Sequence, residues 1–137
     1  HMQELRRTRS GPFTEREACT MYDLADAIDL KEGGDEEPLR RLVRPLEDAL
    51  ALLPKIWVRD SAVEAVCNGA QLAVPGILRY STGINVNDLV AVLTQKDEAV
   101  ALMNAEMSSG KIQAESHGIA ASSVRVIMPR GIYPKSW

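Results

Sequence analysis

Apolar positions recur along this chain with two different periods, and the change between them divides it. Met21, Leu24, Ala25 and Ile28 return at three- and four-residue spacing, which predicts a short helix. Gly33 and Gly34 interrupt it. Asp35, Glu36, Glu37 and Pro38 then open a second helix, since acidic residues suit the positive end of a helix and proline fits its first turn. Leu39, Leu42, Val43, Leu46, Leu50 and Leu53 make one apolar stripe, opposite Arg40, Arg41, Arg44, Glu47 and Asp48. Pro45 is incompatible with an unbroken helix interior, so a kink or two short helices are expected there.

After Pro54 the pattern turns to strands. Ile56, Trp57 and Val58 read as one. Ser61 and Glu64 form a capping-box pattern for a short helix reaching Cys67 or Asn68, with Gly69 at its left-handed end. Residues 72–74 and 76–79 are short strands flanking Pro75. Residues 89–94 and 99–105 are apolar runs joined by Gln95, Lys96, Asp97 and Glu98, a hairpin pattern. Residues 108–117 suit one or two helical turns closed by Gly118. Val124, Val126 and Met128 alternate with Arg125 and Ile127 in a last strand. The expected division is a mainly helical segment, 1–58, followed by a mainly β domain, 59–137. The fold class is α+β, mainly β, with the second part a compact barrel-like domain.

Composition narrows the function classes. Hydrophobic residues make up 45% of the chain, enough for a core, while aromatics at 4% leave Leu, Val, Ile, Ala and Met to build it. Two cysteines, Cys19 and Cys67, are too few for a disulfide framework, and a reduced, intracellular setting is the simpler reading. No apolar run approaches the roughly 20 residues of a membrane span, and no signal-peptide order is present, so no membrane partner is expected. The net charge of −3 weighs against nucleic-acid binding by bulk electrostatics. The excess acid lies between Glu15 and Glu37, however. Residues 59–137 carry seven positive and seven negative side chains, leaving room for a local basic patch.

Catalytic and metal chemistries find little support. His117 has no partner at ligand spacing, no serine sits in a nucleophile elbow, and the 35–37 acidic run lacks the alternating ligands of a calcium loop. No metal site is expected. The informative stretches are Gly69, Ala70, Gln71, Leu72, Ala73, Val74, Pro75, Gly76 and Ile77, and then Met128, Pro129, Arg130, Gly131, Ile132, Tyr133, Pro134 and Lys135. Small residues let another chain approach the backbone, and prolines fix its path. Arg79, Arg130 and Lys135 are candidate phosphate contacts. Such surfaces suit splayed-out single-stranded bases. The same pattern also fits tight turns at the end of a barrel.

These residues carry a family resemblance. Residues 56–63, with Ile56, Trp57, Val58, Arg59, Asp60, Ser61, Ala62 and Val63, together with 69–77 and 128–137, resemble dyskerin and its archaeal homologues, the catalytic subunits of H/ACA ribonucleoproteins. Residues 1–13 are similar to a segment late in the TruB-type catalytic domain. The resemblance implies the C-terminal piece of a pseudouridine synthase: residues 1–58 the end of the catalytic domain, and 59–137 a PUA domain, a small mixed pseudo-barrel that binds RNA. It implies that residues 69–77, Arg79 and 128–135 contact the ACA trinucleotide of an H/ACA guide RNA, with the lower stem on the same face. Gln71 stands where members often carry an acidic or other polar residue. Asp97 occupies a hairpin position where glycine is common, which costs turn stability.

The family's catalytic aspartate lies in a Gly-Thr-Leu-Asp type loop and its partner arginine in a Lys-Gly-Thr-Tyr-Ile-Arg type strand. Neither motif occurs here. The parent is then expected to be the enzyme, an isomerase without metal or organic cofactor, and this chain alone to be inactive, with Leu5 and Arg7 near the parent's active site. Implied partners are the H/ACA guide RNA and other H/ACA ribonucleoprotein subunits. A role in docking such subunits is the rival expectation. The lack of a Lys-rich tail after Trp137 suits an archaeal, cytoplasmic member over a nucleolar eukaryotic one.

Overall fold

A computed structural model describes residues 1–134 of the chain, which divides into two units, His1–Leu52 and Leu53–Trp137. In the first unit, β1 (Arg9–Ser10) and β2 (Phe13–Thr14) pair antiparallel around Gly11 and Pro12. A 3-10 turn, Glu15–Glu17, follows. Helix α1 (Met21–Glu32) starts where Thr20 and Asp23 satisfy each other: the Thr20 hydroxyl accepts the Asp23 N–H at 3.1 Å, and the Asp23 carboxylate accepts the Thr20 N–H at 2.7 Å. The break expected at Pro45 is present. Residues 43–45 separate α2 (Glu37–Leu42) from α3 (Leu46–Ala49), and Pro45 caps α3 with extended backbone. Because the helix is broken, the apolar stripe does not run as one buried face. Leu50 is buried, Leu39 and Leu42 half-buried, and Val43 and Leu46 exposed.

The second unit is built on a six-stranded sheet. Its strands are β3 (Lys55–Val58), β4 (Leu72–Ala73), β5 (Ile77–Tyr80), β6 (Leu89–Leu93), β7 (Ala99–Ala105) and β8 (Ile119–Val126), in the order β4-β8-β7-β6-β3-β5. All pairings are antiparallel except β3 with β6. The edge strands β4 and β5 are consecutive in the chain, separated by the 3-10 turn Val74–Gly76. Three residues span a short distance, so the sheet must curl until its two edges almost meet. The result is a nearly closed pseudo-barrel in a mixed α+β fold.

The unit begins at Leu53, upstream of residue 59, because β3 lies inside this sheet between β5 and β6. Its Ile56 and Val58 are fully buried and join Val90, Val92, Val100 and Met103 in the core. Each such side chain contributes about 1.5–3 kcal/mol by leaving water. Helix α4 (Asp60–Cys67) adds Val63, Val66 and Cys67 to that core. Helix α5 (Ser109–Ala114), capped by the Ser108 hydroxyl, packs Ile112 with Met107 and Ala120 in a smaller cluster. The last strand starts at Ile119, earlier than its alternating residues suggest, because Ala120, Ala121, Ser122 and Ser123 are small and carry little hydrophobic signal.

Candidate nucleic-acid interface

Helix α4 is the mount for both stretches singled out in the sequence. It begins at Asp60, with Arg59 at the N-cap and no side-chain cap there, so the expected Ser61–Glu64 capping box does not form. Glu64 has other work. It is 6% exposed, and its carboxylate accepts the Gly131 N–H at 3.0 Å and the Asn68 side-chain amide at 3.2 Å. A buried carboxylate is costly unless hydrogen-bonded, so this contact ties the 128–134 stretch firmly to α4. Gly131 makes it with φ +84, a backbone shape that side chains resist.

The other stretch is held at the start of the same helix. The Arg59 N–H donates to the Gly76 carbonyl at 2.9 Å, and Arg59 Nε donates to the Pro75 carbonyl at 3.1 Å. Gly76 packs so closely that a Cβ there would sit 3.2 Å from the Ala62 Cβ. Ala62 and Glu64 project about 200° apart around a helix, so the two stretches flank α4 on different sides. Both are fastened to the same helix.

Within these stretches Gly69, Ala70, Ala73, Pro75, Pro129, Arg130 and Gly131 are exposed, while Val74, Gly76, Ile77 and Tyr133 are half-buried. Leu72 and Met128 are core residues, 1% and 8% exposed, and their side chains support the stretches from beneath. Lys135 lies outside the described residues. The charge of Arg130 reaches Cys67: burial and Glu64 push that thiol's pKa up, and Arg130 opposes them.

The turn between β6 and β7 gathers a second set of residues that local pattern does not reveal. Asp97 adopts φ +65, and its Oδ1 accepts the Trp57 indole N–H at 2.6 Å and an Arg79 guanidinium N–H at 3.3 Å. The Arg79 guanidinium lies over the Trp57 ring, 3.9 Å from its centroid. Next along the chain, the Glu98 carboxylate accepts the Tyr133 hydroxyl at 2.8 Å and the Thr94 hydroxyl at 3.2 Å. That bond to Glu98 holds the Tyr133 pKa above its ordinary value, since only the protonated phenol can donate. The 128–134 stretch is therefore held by the Val100 carbonyl at the Met128 N–H, by Glu64 at Gly131 and by Glu98 at Tyr133.

In the first unit Leu5 is 83% exposed, and Arg7 lines a shallow cleft with Arg9, Phe13, Glu17 and Arg44. Among the described residues no group of three or more His, Cys, Asp or Glu side chains is placed to hold a metal ion. No helix among them is long and apolar enough to cross a membrane.

A curled mixed sheet with exposed, small-residue stretches fastened to one helix defines a small pseudo-barrel module. The chain belongs to the PUA domain family, whose model matches residues 54–127. The model of the tRNA pseudouridylate synthase B C-terminal domain matches residues 1–51. Over its full length the chain is 54% identical to a protein of Methanosarcina acetivorans described as "Probable tRNA pseudouridine synthase B", covering 41% of that relative. It is 55% identical to the protein of the same description from Thermococcus onnurineus, covering 42% of it. The chain thus spans about two fifths of the length of these relatives.

Two solved structures match the whole chain with a TM-score of 0.94. One is Cbf5 in an archaeal box H/ACA sRNP Nop10-Cbf5 complex, 52% identical, with 45% of that chain covered. The other is a chain of an H/ACA RNP bound to a substrate RNA containing 2'-deoxyuridine, 51% identical, with 44% covered. The resemblance read from residues 1–13, 56–63, 69–77 and 128–137 thus holds over the full chain.

Proposed function

We propose that this chain is the RNA-binding part of a guide-RNA-dependent pseudouridine synthase, and that its second unit holds the ACA trinucleotide and adjoining lower stem of an H/ACA guide RNA. The observation that carries this reading is the mounting of both small-residue stretches on α4, with Gly69, Ala70, Ala73, Pro129 and Gly131 exposed. Backbone without bulky side chains lets an unpaired base come within hydrogen-bond reach. Arg130 supplies positive charge beside it. The similarity to chains of H/ACA ribonucleoproteins, one of them bound to a substrate RNA, supports an RNA ligand.

The isomerisation itself belongs to the parent enzyme, because the motifs carrying its aspartate and partner arginine are not in this sequence. The chain alone is expected to bind without turnover and without metal or cofactor, in an archaeal cytoplasm. The test is binding of an H/ACA guide stem with and without its ACA; equal affinities overturn the reading. Arg130→Ala is expected to weaken binding about ten-fold, as for loss of one phosphate or base contact.

One observation favours docking of other ribonucleoprotein subunits as a second reading. Met21, Tyr22, Val43 and Leu52 of the first unit are 78%, 84%, 59% and 64% exposed. Apolar side chains left this open to solvent are available to a protein partner. A partner retained in a pull-down after RNase treatment supports docking; release by RNase removes it.

A further inference from the structure

We propose that Trp57, Arg79 and Asp97 form a stacking platform for an unpaired nucleobase, with the guanidinium plane of Arg79 as its open surface. This rests on the RNA-binding reading and assigns Arg79 a different task within it from a phosphate contact. Trp57 and Arg79 are cross-strand partners on β3 and β5, which sets them side by side before any ligand arrives. The indole covers one face of the guanidinium at 3.9 Å. The Arg79 side chain is nevertheless 61% exposed, which leaves its other face to solvent.

Asp97 decides the chemistry. Its carboxylate, 3.3 Å from the guanidinium, offsets the charge that would draw a phosphate, and it fixes the indole through a 2.6 Å hydrogen bond. What remains is flat, polarisable and already immobilised, so little side-chain entropy is lost when something lies on it. Nucleobases stack on arginine planes and aromatic rings with little regard to sequence. The backbone at Asp97 agrees with this role. Glycine would relax φ +65 but would carry no carboxylate, so the strained residue is the one that builds the platform. Its neighbour Glu98 holds Tyr133, so the platform and the 128–134 stretch are anchored on adjacent residues of one turn.

The test uses the full chain carrying Trp137→Phe, which leaves Trp57 as the tryptophan reporter. A short oligoadenylate is expected to quench Trp57 fluorescence, whereas an all-abasic ribose-phosphate oligomer of equal length is not. Arg79→Lys keeps the charge and loses the plane. It is expected to bind oligoadenylate about ten-fold more weakly at unchanged melting temperature. Asp97→Asn keeps a side chain tolerated at that φ and frees the guanidinium charge, so binding becomes more salt-dependent. Equal quenching by the abasic oligomer, wild-type affinity of Arg79→Lys, or an unchanged salt slope in Asp97→Asn overturns the platform. Guide-stem binding measured in parallel separates the two ideas. A bound stem with any of those results removes the platform alone, and no binding of either RNA removes both.

Discussion

The two units of this chain are stabilised in opposite ways. The second buries Ile56, Val58, Val90, Val92, Val100 and Met103 at 0% exposure, in a sheet where every pairing but the β6–β7 hairpin joins strands distant in sequence. The first, among its described residues, buries Ala27 and Leu50 and relies on short-range devices: a reciprocal cap at Thr20, a Glu17 carboxylate that accepts the Thr14 N–H and hydroxyl, and ion pairs four residues apart at Arg40–Glu36, Arg41–Glu37 and Arg44–Asp48. Exposed pairs of that kind contribute little, and they respond to pH and salt. A fold held by a core and a fold held by its surface should therefore fail under different stresses.

The sharpest way to break the contrast is inside the sheet. Ile56→Ala should cost about 2–5 kcal/mol in chemical denaturation, because a fully buried strand residue leaves a cavity. A loss below about 1 kcal/mol would show that β3 is dispensable to the core. Next in size is Glu64→Ala, which strips the Gly131 N–H of its charged acceptor and should cost about 1.5–3 kcal/mol. The fingerprint is faster amide exchange at Gly131. Glu64→Gln, which retains an accepting oxygen, should recover part of the protection.

Acidification sharpens the comparison from the other side. Hydrogen bonds from Thr20 lower the Asp23 pKa below its ordinary 3.8, and the Thr14 backbone N–H, followed by its hydroxyl, lowers that of Glu17 below 4.5. Their stabilisation is present above those ordinary values and is lost as pH falls through the lowered ones. Helical circular dichroism from the first unit should therefore fade in that acidic window before the sheet signal does. Simultaneous loss would remove the distinction. The smallest effect is expected for Arg41→Ala, at most about 0.5 kcal/mol at low salt and vanishing at high salt.

Legibility in the sequence followed the same divide between local and long-range. Strands β6 and β7 were readable because residues 89–94 and 99–105 are mostly apolar runs around a polar turn. The break at Pro45 was readable because proline acts on its own backbone. At the β1–β2 hairpin Gly11 and Pro12 signal the turn, but two residues per strand leave no periodicity to mark the strands. Ser61 and Glu64 have the spacing of a capping box, yet Glu64 is claimed by Gly131, 67 positions away, which no local pattern can reveal. The candidate site divides likewise. Its small residues and prolines announced themselves, whereas the Trp57–Arg79–Asp97 stack depends on a strand pairing and a turn.

The three-residue connector between β4 and β5 has a consequence of its own. An ordinary surface loop tolerates insertion, since doubling its length costs only about 0.6 kcal/mol in closure entropy. Residues 74–76 instead work like the clasp of a hoop, because their reach fixes the circumference on which every other strand is arranged. Lengthening them would slacken the whole ring, so evolutionary tinkering at this spot should be far less free than its exposed Pro75 suggests.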